Sequence, residues 1–203
     1  SKKIKIVDLP KEDIAHYSRG TAEIWYNWPF MGFGELEGIA NRGDYDLTQQ
    51  SKYSGQDLSY ANTAGKKYIP YVIEPSVGVG RAMLAFLIDS YAEAGARLVL
   101  KLHHKLAPYK VAVFPLLANK PDLVDKARDV YKLLKSHFVT AWDDRGNIGK
   151  RYYSQDEIGT PWCVTIDFDT LKHDTVTVRD RDTTHQDRVN IDKLTDYLTA
   201  KFS

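Results

Sequence analysis

The sequence has little that would mark a secreted, membrane-bound or redox-active protein. Cys163 is the only cysteine among 203 residues, which excludes an internal disulfide and any site built from several cysteines. We expect its thiol to be buried and structural. The longest apolar run, Ala82 to Ile88, is too short to span a bilayer, and the N-terminal residues lack the apolar core of a signal peptide. These absences predict a cytoplasmic protein with no membrane contact.

Net charge is nearly absent as well. The formal charge is +1 at pH 7, so any surface for nucleic acid must come from local clustering of Lys and Arg. Apolar residues make up 43% of the chain and charged residues 27%, as in a folded protein of one large or two small domains. Composition therefore limits the class of protein without choosing a function.

The first part of the chain has the pattern of an antiparallel sheet followed by a helix. Strands are predicted over Thr21–Trp28, Glu35–Asp46 and Lys67–Glu74 from β-branched and aromatic residues between Gly, Pro, Asn and Ser. Gly78–Tyr91 then changes to helical spacing. Its apolar positions are Met83, Leu84, Leu87, Ile88 and Tyr91. We expect this helix to be buried and to end at Ala94-Gly95-Ala96, which gives domains of residues 1–95 and 96–203.

The second part alternates strands and helices. A β-α-β beginning predicts a mixed sheet covered by helices, in a compact α/β domain. The predicted strands are Lys110–Leu117, Thr140–Asp143, Trp162–Phe168 and Thr175–Asp180, and the predicted helices are Asp122–His137 and Ile191–Phe202.

The first chemical candidate is the segment from Gly34 to Arg42, with Glu35 and Glu37 two residues apart on a predicted strand. Side chains at this spacing point to one face, and paired carboxylates favour a metal ion or an ammonium group between them. A solvated strand face is the commoner explanation of such a pair. A metal-dependent hydrolase built on Glu35, Glu37 and Asp44 lacks a His or Asp cluster to complete its site.

The second candidate is the segment from Glu74 to Arg81, at a strand-to-helix junction. Its glycines allow close backbone approach, the helix N-terminus favours anions, and Arg81 can bind a phosphate with two hydrogen bonds. Glu74 and Ser76 offer a carboxylate and a hydroxyl for a small amine. A capped turn whose arginine pairs with a surface acid explains the spacing equally well.

The third candidate is the segment from Asp143 to Thr160, interpreted as a loop that mixes Arg and Lys with Tyr, amide and acid side chains. Single-stranded RNA is bound by such groups: cations for phosphate, aromatic faces for stacking and polar groups for base edges. A solvated loop with incidental charge is the alternative.

Three segments together resemble the class II glycyl-tRNA synthetases of the homodimeric type, in sequence, order and spacing: ELEGIANRGDYDL, YVIEPSVGVGR and DDRGNIGKRYYSQDEIGTP. LKLHHKLAPYKVAVFPL and VTVRDRDTTHQDRV extend the resemblance to almost the whole chain. It implies that residues 1–95 are the last part of the catalytic core, with motif 3, and that residues 96–203 are the anticodon-binding domain. The implied fold class is α/β, or α+β overall: a partial antiparallel sheet with the motif 3 helix, then a compact mixed-sheet α/β domain.

The resemblance also implies roles for individual residues in the attachment of glycine to its tRNA through glycyl-adenylate. Glu35 and Leu36 help to hold ATP, with Glu35 also binding the ATP-bound Mg²⁺, and Arg81 grips the γ-phosphate. Glu35 and Arg81 are thus the implied catalytic residues, and no tightly bound cofactor is implied. The implied glycine site consists of Glu74, Pro75, Ser76, Val77 and Gly78. The implied ATP site adds Gly78, Val79 and Gly80, although Gly80 replaces an acidic residue that is common in the family.

The resemblance places anticodon recognition in the third segment, with Arg179 and Arg181 nearby. The implied contacts to glycine tRNA are Arg145, Lys150, Arg151, Tyr152, Gln155 and Asp156. Arg179 and Arg181 are alternatively expected to pair with Asp180, Asp182 or other neighbouring acids as structural ion pairs.

Motif 1, which forms the homodimer interface, and motif 2, with its arginine for the α-phosphate, are not found in the sequence. We therefore expect a piece of a glycine–tRNA ligase that is inactive alone. The alternative is a non-catalytic tRNA-binding or accessory module with a synthetase-like shape. Such modules usually lose the amino-acid pocket, whereas Glu74, Pro75, Ser76 and Arg81 are all present.

Overall fold

A computed structural model of the chain describes residues 2–202. The chain forms two compact units, Ser1–Ala85 and Phe86–Ser203. The predicted boundary at residue 95 stays a prediction.

The first unit is built on a four-stranded antiparallel sheet in the order β1-β2-β3-β6. A 3-10 turn, Lys11–Asp13, follows β1, and a helix follows β3. The elements are β1 Ile4–Asp8, β2 Gly20–Trp28, β3 Gly32–Gly43, α1 Tyr45–Ser54, β4 Tyr60–Ala61, β5 Lys67–Tyr68 and β6 Val72–Val77.

The three strands predicted for this unit are present with shifted bounds. β3 ends at Gly43, whose φ of 58° lies in the left-handed region, and α1 then replaces the end of the predicted strand. The predicted strand Lys67–Glu74 is divided into β5 and the start of β6, and Pro70 between them has no backbone N–H to donate to a ladder.

The helix α2, Val79–Ser90, forms where it was predicted, but the expectation that it is buried is wrong. Ala85 is its one buried residue, while Met83, Leu84 and Leu87 are exposed. An apolar stripe is buried only where another element covers it, and the described part of the chain supplies no such cover.

The second unit contains a five-stranded mixed sheet in the order β10-β9-β11-β12-β13, in which β9 is parallel to β10 and to β11. The elements that follow α2 are β7 Tyr91–Ala94, β8 Arg97–Leu100, β9 Val111–Pro115, α3 Pro121–Lys135, β10 Thr140–Trp142, α4 Ile148–Ile158, β11 Trp162–Ile166, α5 Phe168–His173, β12 Thr175–Asp180, β13 Gln186–Asn190 and α6 Leu194–Lys201, with a 3-10 turn at Ile191–Lys193. The predicted strands and helices of this unit are all present, and the mixed sheet is confirmed.

Two local predictions for this unit are wrong. Ala94-Gly95-Ala96 does not end a helix; it is the turn of the hairpin between β7 and β8, with Gly95 at a φ of 64°. The segment from Asp143 to Thr160 is not a loop throughout, because most of it is the helix α4.

The core of this unit lies between the sheet and the helices α3 and α6. Every residue of β9 is buried, and Leu123, Ala127, Val130 and Leu134 of α3 pack with β11 and β12. Cys163 is buried and free, as predicted, and burial raises the pKa of its thiol. Among the described residues, no helix is long and apolar enough to cross a membrane.

Candidate functional site

Glu35 lies far from Glu74 and Ser76 in the sequence, but all three line one cavity of about 290 Å³ in the first unit. Its other lining residues are Leu9, Asp13, Ala15, Tyr17, Thr21, Glu23, Gly38 and Ala40. Glu35 of the first candidate segment and Glu74 and Ser76 of the second therefore belong to one site.

Strand register explains how the cavity forms. Gly38 of β3 lies beside Ser76 of β6 and Glu23 of β2, and Ala40 lies beside Glu74. Directly opposite residues in antiparallel strands point to the same face. Because Gly38 and Ala40 have small or no side chains, the middle strand leaves space between the polar side chains of its two neighbours.

A β-bulge decides which glutamate of β3 faces the cavity. Trp25 pairs with Glu35 and Ile24 with Glu37, so Leu36 is the extra residue between them. The extra residue reverses the alternation: Glu35 shares the cavity face with Glu23 and Gly38, and Glu37 lies on the opposite face with Ile24. The prediction that Glu35 and Glu37 share a face is wrong for this reason.

Two arginines contact the carboxylates of this site. Arg81 donates from Nη1 to Oε2 of Glu35 at 2.8 Å, and Arg42 donates from Nη1 to Oε2 of Glu74 at 2.7 Å. Hydrogen bonds to Asp46, and then to Glu74, raise the pKa of the Arg42 guanidinium, which also lies over the ring of Tyr17. Glu74 is thus held in place while its second oxygen remains available.

The other implied residues of this site fall into two groups. Pro75 and Val77 alternate with Glu74 and Ser76 along β6 and lie on the opposite face of the strand. Gly78, Val79 and Gly80 form the junction with α2. A side chain added at Gly80 would meet no atom within 4 Å, so the glycine there fits the available space without being required by packing.

Sequence reasoning missed Glu23, Asp13 and Tyr17. Glu23 could have been placed from the sequence, because it lies two residues after Thr21 on a predicted strand and therefore on the same face. Asp13 and Tyr17 come from the connection between β1 and β2, whose path the sequence does not indicate. Among the described residues, no group of three His, Cys, Asp or Glu side chains is arranged to hold a metal ion.

The third candidate segment is a short loop followed by the helix α4. Asn147 caps the helix, its side chain accepting from the backbone N–H of Lys150 at 2.9 Å, and Gly146 takes a φ of 60° before it. Arg145 projects from the loop, and its Nε donates to Oδ1 of the buried Asp143 at 3.1 Å.

Arg151 of α4 is only 2% exposed and binds the backbone of this loop from its buried side. It donates to the backbone carbonyl oxygens of Arg145 at 2.9 Å, Gly146 at 2.8 Å and Asp144 at 3.1 Å. A further hydrogen bond reaches the carbonyl of Pro115 at the end of β9. The arginine thereby fixes the loop that carries Arg145.

Asp156 is fully buried and holds two arginines. Arg179 donates to its two oxygens at 2.9 and 3.0 Å, and Arg97 of the β7–β8 hairpin donates at 2.7 Å. Burial opposes the charge of Arg179, but the hydrogen bonds and charge of Asp156 outweigh it, and the pKa of Arg179 is raised. The expected pairing of Arg181 with Asp182 is present, whereas Arg179 pairs with Asp156 rather than with Asp180.

Burial separates the six implied RNA contacts into two groups. Arg151, Gln155 and Asp156 are buried and bonded internally, with Gln155 accepting from the hydroxyl of Thr160 at 2.6 Å. A buried, satisfied side chain has little surface to offer a base, so these three side chains support the fold of the unit, and their contact with RNA stays a prediction. Arg145 and Lys150 are exposed, and Tyr152 is half-buried against Phe114 with its hydroxyl bonded to Thr165.

Tyr153 was not among the implied contacts, although it lies three residues after Lys150 on the same side of α4 and is 46% exposed. Arg145, Lys150 and Tyr153 together present two cations and an aromatic ring, which we call the α4 surface. Such a surface suits a phosphate backbone and an unstacked base.

Residues 110–201, which include the α4 surface, match the family model of the anticodon binding domain. The chain is 53% identical over 197 residues to a glycine–tRNA ligase of Clostridium kluyveri, 52% over 203 residues to one of Caldanaerobacter subterraneus subsp. tengcongensis, and 52% over 204 residues to one of Streptomyces coelicolor. The predicted resemblance to glycyl-tRNA synthetases is confirmed.

These alignments cover 94%, 98% and 95% of this chain but only 42%, 43% and 44% of the respective relatives. The chain therefore spans less than half the length of these glycine–tRNA ligases. The predicted fold class is confirmed as well: an antiparallel sheet in one unit and a mixed sheet with helices in the other, where residues 110–201 match the model of the anticodon binding domain.

Proposed function

We propose that this chain is part of a glycine–tRNA ligase, to which it supplies one wall of the glycine and ATP site and the anticodon-reading domain. The observation that carries the proposal is that about half of its residues are identical to those of glycine–tRNA ligases along nearly all of the chain. The aligned stretch includes both the carboxylate-lined cavity and the residues that match the anticodon binding domain.

The cavity suits glycine as substrate. Glycine offers an ammonium group and no side chain, so selectivity needs carboxylates for the ammonium and too little room for anything larger. Glu23 and Glu74 lie on either side of the small residues Gly38 and Ala40, and Ser76 adds a hydroxyl. We propose Glu23 as a glycine-site residue in addition to those implied by the resemblance.

Glu35 and Arg81 suit the triphosphate of ATP. Arg81 lies in the first turn of α2, where a guanidinium and the helix N-terminus both favour phosphate oxygens. Mg²⁺ is usually held by one or two carboxylates together with phosphate oxygens and water. The half-exposed carboxylate of Glu35 fits one such ligand position. Leu36, Gly78, Val79 and Gly80 complete the proposed ATP wall.

In the proposed reaction, glycine attacks the α-phosphate of ATP to form glycyl-adenylate, and the glycyl group then passes to the 3′ end of its tRNA. The chain's own residues bind, orient and neutralise charge, with no covalent enzyme intermediate. Because the arginine for the α-phosphate is not in this sequence, we propose that the chain alone does not aminoacylate. The parent ligase is proposed to act as a homodimer in the cytoplasm.

The same observations favour a ligase over an accessory module. A module that only binds tRNA has no use for a glycine pocket, yet Glu74, Ser76 and Arg81 are present and the first two line one cavity. The three relatives also carry the name of the enzyme rather than of an accessory protein.

The test is a titration of this chain with the anticodon stem-loop of glycine tRNA and with the same stem-loop carrying a substituted anticodon, each at two salt concentrations. We expect the glycine stem-loop to bind more tightly and its affinity to fall with salt. Replacing Arg145 and Lys150 together by alanine should lower the salt slope by about 2, because each of these cations is proposed to neutralise one phosphate.

The matched control replaces Lys132 and Lys135 of α3, two exposed cations outside the α4 surface. Equal affinity for both stem-loops would contradict anticodon reading by this chain. Equal weakening in the control variant would show that binding is a property of net charge and not of the α4 surface.

A further inference from the structure

The second unit has a pocket of about 400 Å³ that none of the functions above uses. It is lined by His104, Lys105, Lys110, His137, Phe138, Val139 and Phe202. None of these lining residues is acidic, while two are lysines, two are histidines and two are phenylalanines. The volume lies in the range of small-molecule sites.

The two phenylalanines give the pocket an aromatic wall. The rings of Phe138 and Phe202 lie 5.3 Å apart, and the His104 ring meets Phe202 edge-on at 5.7 Å. His137 lies beside Phe138, with 6.3 Å between the ring centroids. Flat apolar ligands such as nucleobases stack on rings presented in this way.

The cations of the pocket are held in different ways. Lys110 donates from Nζ to the carbonyl oxygens of His104 at 2.7 Å, Ala107 at 2.8 Å and Lys105 at 3.1 Å, so its charge is fixed at the edge of the pocket. Lys105 and His137 are exposed, and their side chains can turn toward a ligand. The pocket thus combines a fixed positive charge with a movable lysine and a movable imidazole.

His104 carries a polar atom without a partner. Its Nε2 is buried and makes no hydrogen bond to a described residue, and the backbone of the neighbouring Phe202 favours the protonated ring. Burial, and then the charges of His103, Lys105 and Lys110, lower the pKa of His104. A buried nitrogen that is left unpaired destabilises the fold unless something else bonds to it, so it marks a place where a ligand would gain a hydrogen bond.

The pocket is separate from the α4 surface. Lys110 comes just before β9 and Val139 just before β10, and the two parallel strands begin together, with the Lys110 N–H donating to the Val139 carbonyl at 2.8 Å. The loop that carries Arg145 follows the other end of β10. Arg151, which holds this loop, donates to the carbonyl of Pro115 at the far end of β9. A five-residue strand is roughly 16 Å long, so one nucleotide cannot contact both places.

We propose that this pocket binds a nucleotide, with the base against Phe138 and Phe202, the phosphate near Lys105, Lys110 and His137, and a polar atom of the base or sugar bonded to Nε2 of His104. The site is independent of the proposed ligase activity, because it involves neither the glycine cavity nor the α4 surface. The nucleotide is either free or a unit of a single-stranded RNA segment.

The test follows the imidazole NMR signals of the six histidines of the whole chain while it is titrated with AMP, adenosine, inorganic phosphate or a short single-stranded RNA. AMP should shift the signals of His104 and His137 saturably and should bind at least about fivefold more tightly than adenosine or phosphate alone, because only AMP engages both halves of the pocket. If the RNA binds more tightly than AMP at the same histidines, the natural ligand is an RNA segment. If the RNA binds no more tightly than AMP, the ligand is a free nucleotide.

Two variants locate the effect. Lys105→Ala with His137→Ala should weaken AMP at least about fivefold, whereas Lys172→Ala with His173→Ala, an exposed lysine and histidine at the end of α5, should change the affinity less than about twofold. Phe138→Leu, which keeps an apolar side chain but removes the ring, should weaken adenosine and AMP alike.

The proposal is overturned if neither AMP nor the RNA shifts His104 and His137, if phosphate or adenosine alone binds as tightly as AMP, or if the Lys172 and His173 variant loses as much affinity as the pocket variant. A separate failure of the anticodon stem-loop titration leaves these outcomes unchanged, since that titration depends on Arg145 and Lys150.

Discussion

The two units differ sharply in how much apolar side chain they bury. In Ser1–Ala85, the buried apolar residues among those described are Tyr26, Trp28 and Ala85. In Phe86–Ser203, whole strands are buried, and α3 and α6 contribute Leu123, Leu134, Leu194 and Leu198 to one continuous core. Burial of apolar surface is the main favourable contribution to folding. We therefore expect the second unit to fold from its own contacts and the first to depend on further contacts for its stability.

The difference also separates two ways of building a site. The cavity proposed for glycine lies on one face of an open sheet, and its charged groups are partly solvated. The α4 surface rests on two sets of buried contacts: Arg151 holds the loop through backbone carbonyls, and Asp156 pairs with Arg179 and Arg97. Changes in the first unit should therefore act mostly on binding, and changes in the second mostly on folding.

The largest effect is expected from Asp156→Asn. Arg179 and Arg97 would then be left without their carboxylate in a buried setting, which costs about 3–5 kcal/mol of unfolding free energy. Urea denaturation followed by circular dichroism measures the change. The control is Glu157→Gln, the next residue along α4, which is exposed. Equal stability of the two variants would mean that the network does not hold the second unit together.

A core substitution in α3 should have the next largest effect. Leu134→Ala removes a fully buried side chain and should reduce the unfolding free energy by about 3 kcal/mol. Leu133→Ala, one position away and 37% exposed, should cost less than about 1 kcal/mol. Leu84→Ala on the exposed face of α2 should be as mild as Leu133→Ala in this chain. A large destabilisation by Leu84→Ala would show that the first unit has a core that the burial pattern does not reveal.

The glycine cavity can be tested in a chimera in which this chain replaces the matching part of the Clostridium kluyveri ligase. Glu74→Gln removes a charge proposed to bind the ammonium of glycine, and kcat/KM for glycine should fall about 10- to 100-fold. Glu37→Gln, on the opposite face of the same sheet, is the matched control and should change it little. A similar fall for both variants would contradict the assignment of the cavity to glycine.

The smallest effect concerns pH. Hydrogen bonds from Arg188, which outweigh the opposing effect of burial, lower the pKa of Asp167 from 3.8 to about 2. Because the folded pKa lies below the unfolded one, the stabilisation is complete above about pH 4 and is lost as the pH falls through about 2. It amounts to about 2 kcal/mol or less.

Asp167→Asn should remove this contribution, which lowers stability at neutral pH and flattens its fall between pH 4 and 2. Asp169→Asn changes a carboxylate that is more exposed and lies 3.7 Å from Arg188. This control should leave unchanged the loss of stability between pH 4 and 2, which is the acid limb of the stability curve. The measurement is the urea midpoint as a function of pH. An unchanged acid limb in the Asp167 variant would rule out the ion pair as its cause.

Much of the fold could be predicted because the patterns involved are local. β12 has the predicted bounds, Thr175–Asp180, and α3 begins one residue before the predicted start. The helix α4 was missed because Asn147, Gly146 and Gly149 resemble loop residues, although Asn147 is in fact its N-cap. The hairpin β7–β8 was missed because four-residue strands show too little alternation to be separated from the end of a helix.

The site was predictable in its residue types and only partly in their arrangement. Glu74 and Ser76 could be paired from their spacing, but the cavity also needs Glu23 from another strand, and pairing between distant strands depends on register. The bulge at Leu36 changes the facing of Glu35 without a clear signal in the sequence.

The sequence by itself determined the main strands and the helices α2, α3 and α6, the buried thiol of Cys163 and the resemblance to glycyl-tRNA synthetases, since all three depend on residue type and short-range spacing. The tertiary structure alone decided that Glu35 and not Glu37 faces the cavity, that Arg151 and Asp156 are internal, and that the apolar face of α2 is exposed. Burial and register depend on which distant segments pack together, and spacing along the chain does not contain that information.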